Sequence, residues 1–362
     1  MTDIKSTLMW KEINETPIAF SKIKANNKNT MDALLADIKT NPICGIYAAG
    51  RGTSDHALVY FKYVCEIFAG IPVSYAGSSI VTLYNGKLNL RNQLVIGCSQ
   101  SGKAQDVLEV IRRANKDGAI TVSVTNDENS PLAKEAKYHL FCSAGEEKSV
   151  AATKTFSTQL YLMLYLASGL AGNQRAIDML DTYTSDLPAV MDKISLETEK
   201  LAPYFVDMES GFILARGVTY PIALEGALKL QETSYVQMKG YPASDFYHGP
   251  MAMVSENTPV FIYAPKFGYS DTSLADNHKQ DQVKCIEKML ELGAKTVIIT
   301  DDSDYVKYSE KAFVSILPEA CCESFAMFNF ALFAQMFACR ISCGKGRNPD
   351  SPRALNKVTI TK

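Results

Sequence analysis

From residue 43 onward, short apolar runs alternate with longer amphipathic ones. The runs 43–48, 72–76, 94–98, 120–124 and 138–143 have strand length and carry little polar interruption. Stretches 54–68 and 104–117 instead repeat apolar residues at helical spacing. Alternation of this kind predicts βαβ units, a parallel sheet with helices on both faces. Before it, residues 8–38 are polar, lack glycine and keep a helical period; after it, 152–171 reads as a long helix. The pattern then returns. Gly-Phe-Ile-Leu-Ala-Arg-Gly-Val-Thr at 211–219 mirrors Gly-Ile-Tyr-Ala-Ala-Gly-Arg-Gly-Thr at 45–53, and 240–244, 260–263 and 297–302 mirror 71–78, 95–98 and 122–127. The offset is about 165 residues at first and grows by roughly ten. The expected fold class is therefore α/β, two duplicated doubly wound, flavodoxin-like parallel-sheet subdomains joined by a helical linker. The expected segments are 1–40 (helical), 41–175 (first subdomain, phosphate-binding), 176–205 (linker), 206–345 (second subdomain) and 346–362 (tail).

Composition narrows the class. The 362 residues are 47% apolar and 21% charged, enough for two ordinary cores. Net charge is −2, so no bulk field draws nucleic acid or an acidic membrane. Nine cysteines lie without CxxC pairs or histidines at metal spacing, and most, among them Cys44, Cys98, Cys142 and Cys339, sit in apolar runs, as packed reduced thiols do. No metal or cofactor is expected. The N-terminus, Met1-Thr2-Asp3-Ile4-Lys5, has no basic region followed by an apolar core, which points to a cytoplasmic chain. The run 325–343 is broken by Asn329, Gln335 and Arg340 and reads as a buried helix, not a membrane span.

Chemistry concentrates at four places. Gly50-Arg51-Gly52-Thr53-Ser54 and Ser99-Gln100-Ser101-Gly102 each follow a predicted strand and precede a helix. Glycine admits close backbone approach, helix-start N–H groups lack partners, and hydroxyls add donors, so each loop suits an anion. Such loops also cap helices without binding anything; two at neighbouring strand ends favour a phosphate ligand. Asn126-Asp127 reads as ordinary turn chemistry. In the second subdomain the corresponding loop is Ala264-Pro265-Lys266, and Glu225, Lys229 and Glu232 instead share one helix face at i, i+4 and i+7, with Leu224, Ala227 and Leu228 offset toward the core. A solvated stripe is the ordinary fate of such a triplet, but the surrounding Gly and Ala imply close packing, where a Glu beside a Lys serves as a tuned base. Of the four histidines, His248 lies in a Gly-Pro turn, His56 opens a helix, His139 opens a strand and is expected to pack, and His278 lies in a polar insertion and is expected to be solvated. The tail, 348–358, reads either as a mobile terminus or as a strap carrying Lys357.

Gly50–Ser54, Ser99–Gly102, Val150-Ala-Ala-Thr153-Lys154, 223–235, His248-Gly-Pro250 and 350–357 stand in the order seen in SIS (sugar isomerase) proteins. Over nearly its whole length the chain resembles the isomerase half of glutamine:fructose-6-phosphate amidotransferases. Within that family Arg51–His56 and Ala144–Lys148 resemble most the stand-alone SIS-type glucosamine-6-phosphate deaminases. The amidotransferases begin with a glutaminase domain, whereas here the sugar domain follows Met1-Thr2 at once, so glutamine-dependent ammonia production is not expected of this chain. The resemblance implies that Gly52, Thr53, Ser54, Ser99, Gln100 and Ser101 bind a sugar phosphate and that Val150 and Ala151 line the sugar. It implies that Glu232 moves a proton between C1 and C2, that Glu225 and Lys229 orient and polarise the site, that His248 assists ring opening across a homodimer interface, and that Lys357 sits at the sugar hydroxyls or carbonyl. Two positions depart from the family: Ala104 and Ala152 stand where relatives carry hydroxyl residues.

The implied reaction is deamination of glucosamine 6-phosphate to fructose 6-phosphate and ammonia. The alternatives are fructosamine-6-phosphate deglycation, ketose/aldose isomerisation without deamination, and a non-catalytic sugar-phosphate sensor. A sensor has no need of Glu232, His248 and Lys357 together. The polar stretch 266–282 is either an ordinary loop or a wall of the pocket that separates these substrates.

Overall fold

β-branched and small apolar side chains fill the strand-length runs, and these runs become two five-stranded sheets, parallel throughout. The computed structural model describes residues 3–267 and 272–357. Met1, Thr2, Val358 and four residues of the 266–282 stretch lie outside the described residues. In chain order the elements are α1 (Leu8–Asn14), α2 (Thr16–Thr40), β1 (Gly45–Ala49), α3 (Thr53–Ala69), β2 (Val73–Tyr75), α4 (Ser78–Thr82), β3 (Gln93–Cys98), α5 (Gln105–Asp117), β4 (Ile120–Thr125), α6 (Pro131–Glu135), β5 (Tyr138–Phe141) and α7 (Lys154–Leu170). They continue with α8 (Gln174–Leu201), β6 (Ser210–Ala215), α9 (Tyr220–Ser234), β7 (Gln237–Pro242), α10 (Ala243–Phe246), β8 (Pro259–Ala264), α11 (Thr272–Glu291), β9 (Lys295–Thr300), β10 (Phe313–Ile316) and α12 (Glu323–Gly344).

The chain divides into two units. The first-repeat unit holds residues 15–148, 152–185 and 354–357; the second-repeat unit holds 3–14, 149–151 and 186–353. The strand order of the first is β2-β1-β3-β4-β5 and of the second β10-β9-β8-β6-β7, the same doubly wound order read from opposite edges. The repeat seen in the residues is thus a repeat of topology.

In the first-repeat unit, β1 and β3 lie side by side, with Ala49 opposite Gly97, and all six residues of β4 are buried. α5 presses Val107, Leu108, Val110, Ile111 and Ala114 against Val95 and Leu132 and ends on left-handed Gly118. Its N-cap is Ala104, which has the extended backbone of a cap and no side chain to serve as one.

In the second-repeat unit, α12 is long and apolar enough to cross a membrane, yet 94% of its most apolar window is buried in the structure, as expected for 325–343. α1 is anchored by the tail: Leu8 N–H and Met9 N–H each donate to the Asp350 carboxylate at 2.8 Å, and the Asp350 carbonyl accepts from Val150 N–H at 3.1 Å.

Several local expectations change. The helical stretch 8–38 is two helices, broken at Glu15. β1 starts at Gly45, so Cys44 is exposed instead of packed. His139 is only half-buried and lies 2.9 Å from Thr125 Oγ1. The 266–282 stretch is helical from Thr272, and His278 stacks on Phe267, ring centres 4.4 Å apart, so it is not freely solvated.

Candidate active site

In a doubly wound sheet, ligands collect beyond the strand ends where the winding reverses. In the first-repeat unit that point lies between β1 and β3, and both serine-glycine loops leave the sheet there. Gly52, at φ 53°, is the N-cap of α3 and carries no side chain over the first helical N–H groups. The second loop is wound on itself: Gly102 N–H donates to Ser99 Oγ at 3.2 Å, and Lys103 N–H to Ser101 Oγ at 3.3 Å. Gly102 has φ 62°, and a Cβ there would sit 2.1 Å from Ser130 Oγ, so only glycine fits. Arg51 ties the loops together, donating from Nε to buried Asp106 in the first turn of α5 at 2.5 Å.

The hydroxyls are not presented equally. Ser54 is buried and its Oγ accepts from Gln159 Nε2 of α7 at 3.0 Å, while Ser99 is also buried. Gln100, Ser101 and Thr53 are half-buried, and Gly52 is exposed. The part of the predicted site open to a ligand is thus Gly52, Thr53, Gln100 and Ser101, with Ser54 and Ser99 shaping the loops from beneath.

The helix that carries Glu225, Lys229 and Glu232 belongs to the second-repeat unit. α9 opens with Pro221, suited to a first helical turn, and closes on Tyr235, left-handed at φ 55°. Lys229 Nζ lies 3.3 Å from Glu225 Oε1 and 2.5 Å from Glu232 Oε2; the side chains of Lys229 and Glu225 are fully buried, and that of Glu232 is 23% exposed. The expected orientation of this helix is reversed: Leu224 and Leu228 are only half-buried, while the charged pair points inward. Ala227 alone of the three apolar positions is fully packed. The helix packs closely at Gly226, where a Cβ would approach Tyr263 Oη to 2.9 Å. Burial acts to lower the Lys229 pKa, but Glu225 and Glu232 outweigh it and hold the ammonium above its ordinary value of 10.5. Lys229 is therefore a fixed counter-charge, and Glu232 is the member of the triplet that meets solvent.

His248 is exposed in the turn after α10, its N–H donating to the Asp245 carbonyl at 3.0 Å, and Gly249 follows at φ 156°. Ala151 is buried and Val150 half-buried; their segment is gripped by Glu12, which accepts from Ser149 N–H and from its hydroxyl.

The tail residues are held within their own units. Tyr235 lies between two guanidinium groups, Arg347 at 4.2 Å and Arg353 at 4.4 Å from the ring centre, and its hydroxyl accepts from Arg353 N–H at 2.8 Å. Farther on, in the first-repeat unit, Lys357 Nζ donates to Glu147 Oε2 at 2.6 Å. Burial acts to raise the Glu147 pKa, but the Lys357 charge and donors from Lys357, Thr153 and Thr155 bring it below its ordinary 4.5.

Three residues of this architecture escape a reading of motifs. Asp106 and Glu147 look like ordinary helix-flanking acids. Asn126, taken as turn chemistry, in fact braces the loops: its N–H donates to the Gln100 carbonyl at 2.9 Å, its Nδ2 to the Gly145 carbonyl at 2.7 Å, and its Oδ1 accepts from Ala144 N–H at 3.0 Å. Its position directly after a strand end was the available signal. Among the described residues no group of three His, Cys, Asp or Glu side chains is placed to hold a metal ion.

Removing Lys229 takes the counter-charge away from the buried Glu225 carboxylate. Lys229→Met is expected to cost about 3–5 kcal/mol in urea unfolding, with part recovered by Glu225→Gln in the same chain. Because the folded pKa is raised, the stabilisation is complete below 10.5 and fades only as pH climbs through the higher folded value. The difference between wild type and Lys229→Met should therefore be flat from about pH 6 to 9.

Comparison with known proteins agrees with this architecture. The SIS domain family matches residues 45–169 and 205–341, one copy per sheet. The glutamine–fructose-6-phosphate aminotransferase (isomerizing) of Aquifex aeolicus is 34% identical over 98% of this chain, and that of Legionella pneumophila strain Lens is 32% identical over 97%. The chain spans 57% and 58% of the length of these two relatives. The solved C-terminal domain of glucosamine-fructose-6-phosphate aminotransferase from Francisella tularensis superposes with a TM-score of 0.79 at 27% identity, covering 97% of this chain and all of that one. A glucosamine-6-phosphate deaminase from Thermotoga maritima shares the fold, with a TM-score of 0.75 at 22% identity over 98% of this chain and 100% of that chain. With two matched copies on two sheets of the same winding, the chain belongs to the SIS domain family.

Proposed function

We propose that this protein converts an amino-sugar 6-phosphate, glucosamine 6-phosphate first among them, into fructose 6-phosphate and ammonia. The observation that carries the reading is the α9 triplet: a carboxylate, Glu232, open to solvent and bound to a fully buried ammonium. A solvated stripe would leave all three groups in water, and a passive binding domain gains nothing from burying such a charge.

The open loop groups, Gly52, Thr53, Gln100 and Ser101, hold the phosphate through N–H and hydroxyl donors. Val150 and Ala151 line the sugar. His248 takes the anomeric hydroxyl proton and returns one to the ring oxygen, opening the ring, a task suited to an imidazole, which can both accept and donate a proton. Glu232 then removes the proton on C2 and delivers it to C1, leaving an imine at C2. Lys357 stabilises negative charge on the oxygen at C1 as the enolamine forms. Water adds to the C2 imine, and ammonia departs as the ketone forms.

The test is a panel of glucosamine 6-phosphate and fructosamine 6-phosphates incubated with the pure protein, read for ammonia, released amino acid and fructose 6-phosphate. Ammonia and fructose 6-phosphate from glucosamine 6-phosphate are the expected result. Amino acid released only from fructosamine phosphates would replace this reading with deglycation, and no turnover at all would overturn it.

We also propose a homodimer in which His248 serves the partner's site; its exposure in a turn supports this. Equal amounts of inactive His248→Asn and Glu232→Gln proteins, mixed and allowed to exchange subunits, should regain about a quarter of wild-type activity, because half of random dimers carry one intact site in two. No recovery despite exchange would confine His248 to its own subunit.

A further inference from the structure

Glu147 has no part in the assignments above, yet it is the most completely engaged carboxylate near the tail. Its side chain is fully buried. Oε1 accepts from Thr153 N–H at 3.0 Å and Thr155 N–H at 3.1 Å, and Oε2 accepts from Thr155 Oγ1 at 2.7 Å and Lys357 Nζ at 2.6 Å. Thr153, the N-cap of α7, makes no cap bond with its own hydroxyl, so Glu147 supplies the cap from outside the helix. The carboxylate is thus immobilised by the helix before it meets the lysine. Lys357, by contrast, comes from a stretch with no regular structure, where residues 353–356 are exposed.

We infer that Glu147 is the positioning residue for Lys357: a rigid buried carboxylate, seated on the start of α7, that holds the ammonium of the tail in one place. A flexible lysine loses rotamer freedom when it must point at a substrate, and a preorganised partner removes that cost before binding. The bond to Glu147 also fixes where the tail cation is presented, as stabilisation of a developing oxyanion requires. The inference deepens the proposed function, since it takes from that reading only the place of Lys357 at the sugar.

Two arms separate the inference from the reading it rests on. The first needs no substrate. Trypsin cleavage after Lys357 creates a new C-terminus at that residue, which mass spectrometry follows directly. In wild type the lysine side chain is occupied by Glu147; in Glu147→Gln, which keeps an acceptor for the Thr153 and Thr155 N–H groups, cleavage should be about tenfold faster or more. Should Glu147→Gln fail to fold, Lys357→Met leaves the α7 cap intact, and amide exchange across 354–357 should accelerate by a similar factor. Unchanged cleavage in folded Glu147→Gln, or unchanged exchange in Lys357→Met, would overturn the inference.

The second arm uses turnover of whichever panel substrate the wild type accepts. Glu147→Gln and Lys357→Met should each lower kcat more than they raise KM, and the double variant should be no slower than Lys357→Met alone. Glu147→Asp, one methylene shorter, should recover part of the loss. Additive losses would reduce Glu147 to a helix cap. A wild type that turns over nothing would sink the function while leaving the cleavage result to stand.

Discussion

One buried cation organises the second-repeat unit. Lys229 carries its charge with no solvent contact, and a lone ammonium in that setting would deprotonate or unfold its surroundings. It is stable there because α9 supplies a carboxylate one turn before it and another one turn after it. The consequences spread outward. A Cβ at Gly226 would crowd Tyr263 Oη, Leu224 and Leu228 are displaced toward the half-buried side while Leu230 stays packed, and Glu232 is left with one oxygen on the lysine and part of its surface open. A cluster that costs desolvation energy to bury makes physical sense where a carboxylate must be held in one orientation.

The first-repeat unit answers a different requirement with the same topology. Its switch point carries glycines, serines and two helix starts in place of a charged triplet. The net charge of −2 offers no general attraction for a phosphate, so under the proposed function the loop backbone has to supply it. That backbone is held by groups that do not face a ligand: Asp106 through Arg51, Asn126 through Gln100, and Ser130 against Gly102. Ser54 is one of these as well, bonded back to Gln159. The two sheets thus share one design, and the units differ in what they carry beside it: glycine-serine loops in one, a buried charged triplet in the other.

Much of this was legible in the residues. Strands buried on both faces read as continuous apolar runs, and the repeat at about 165 residues announced two sheets, so the topology followed from pattern alone. The loops were legible because glycine and serine directly after a strand leave few other uses. The orientation of α9 was not, since helical periodicity assigns leucines to the core and charges to solvent, and only the pairing of Lys229 with two carboxylates reverses that preference. The supporting residues were hidden for a related reason. Glu147 lies 210 positions from Lys357, and Asp106 lies 55 from Arg51. Neither spacing forms a motif, because the contacts are made by folding and not by local geometry.

The central claim is that Glu232, held by Lys229, carries a proton away from C2 of the sugar. Glucosamine 6-phosphate deuterated at C2, followed by NMR, tests it most directly. The account predicts that the wild type removes deuterium from C2, delivering it to C1 or to solvent, and that Glu232→Gln leaves it in place while still binding the sugar phosphate. Ammonia released with the C2 deuterium retained, or deuterium lost as fast in Glu232→Gln as in wild type, would contradict it.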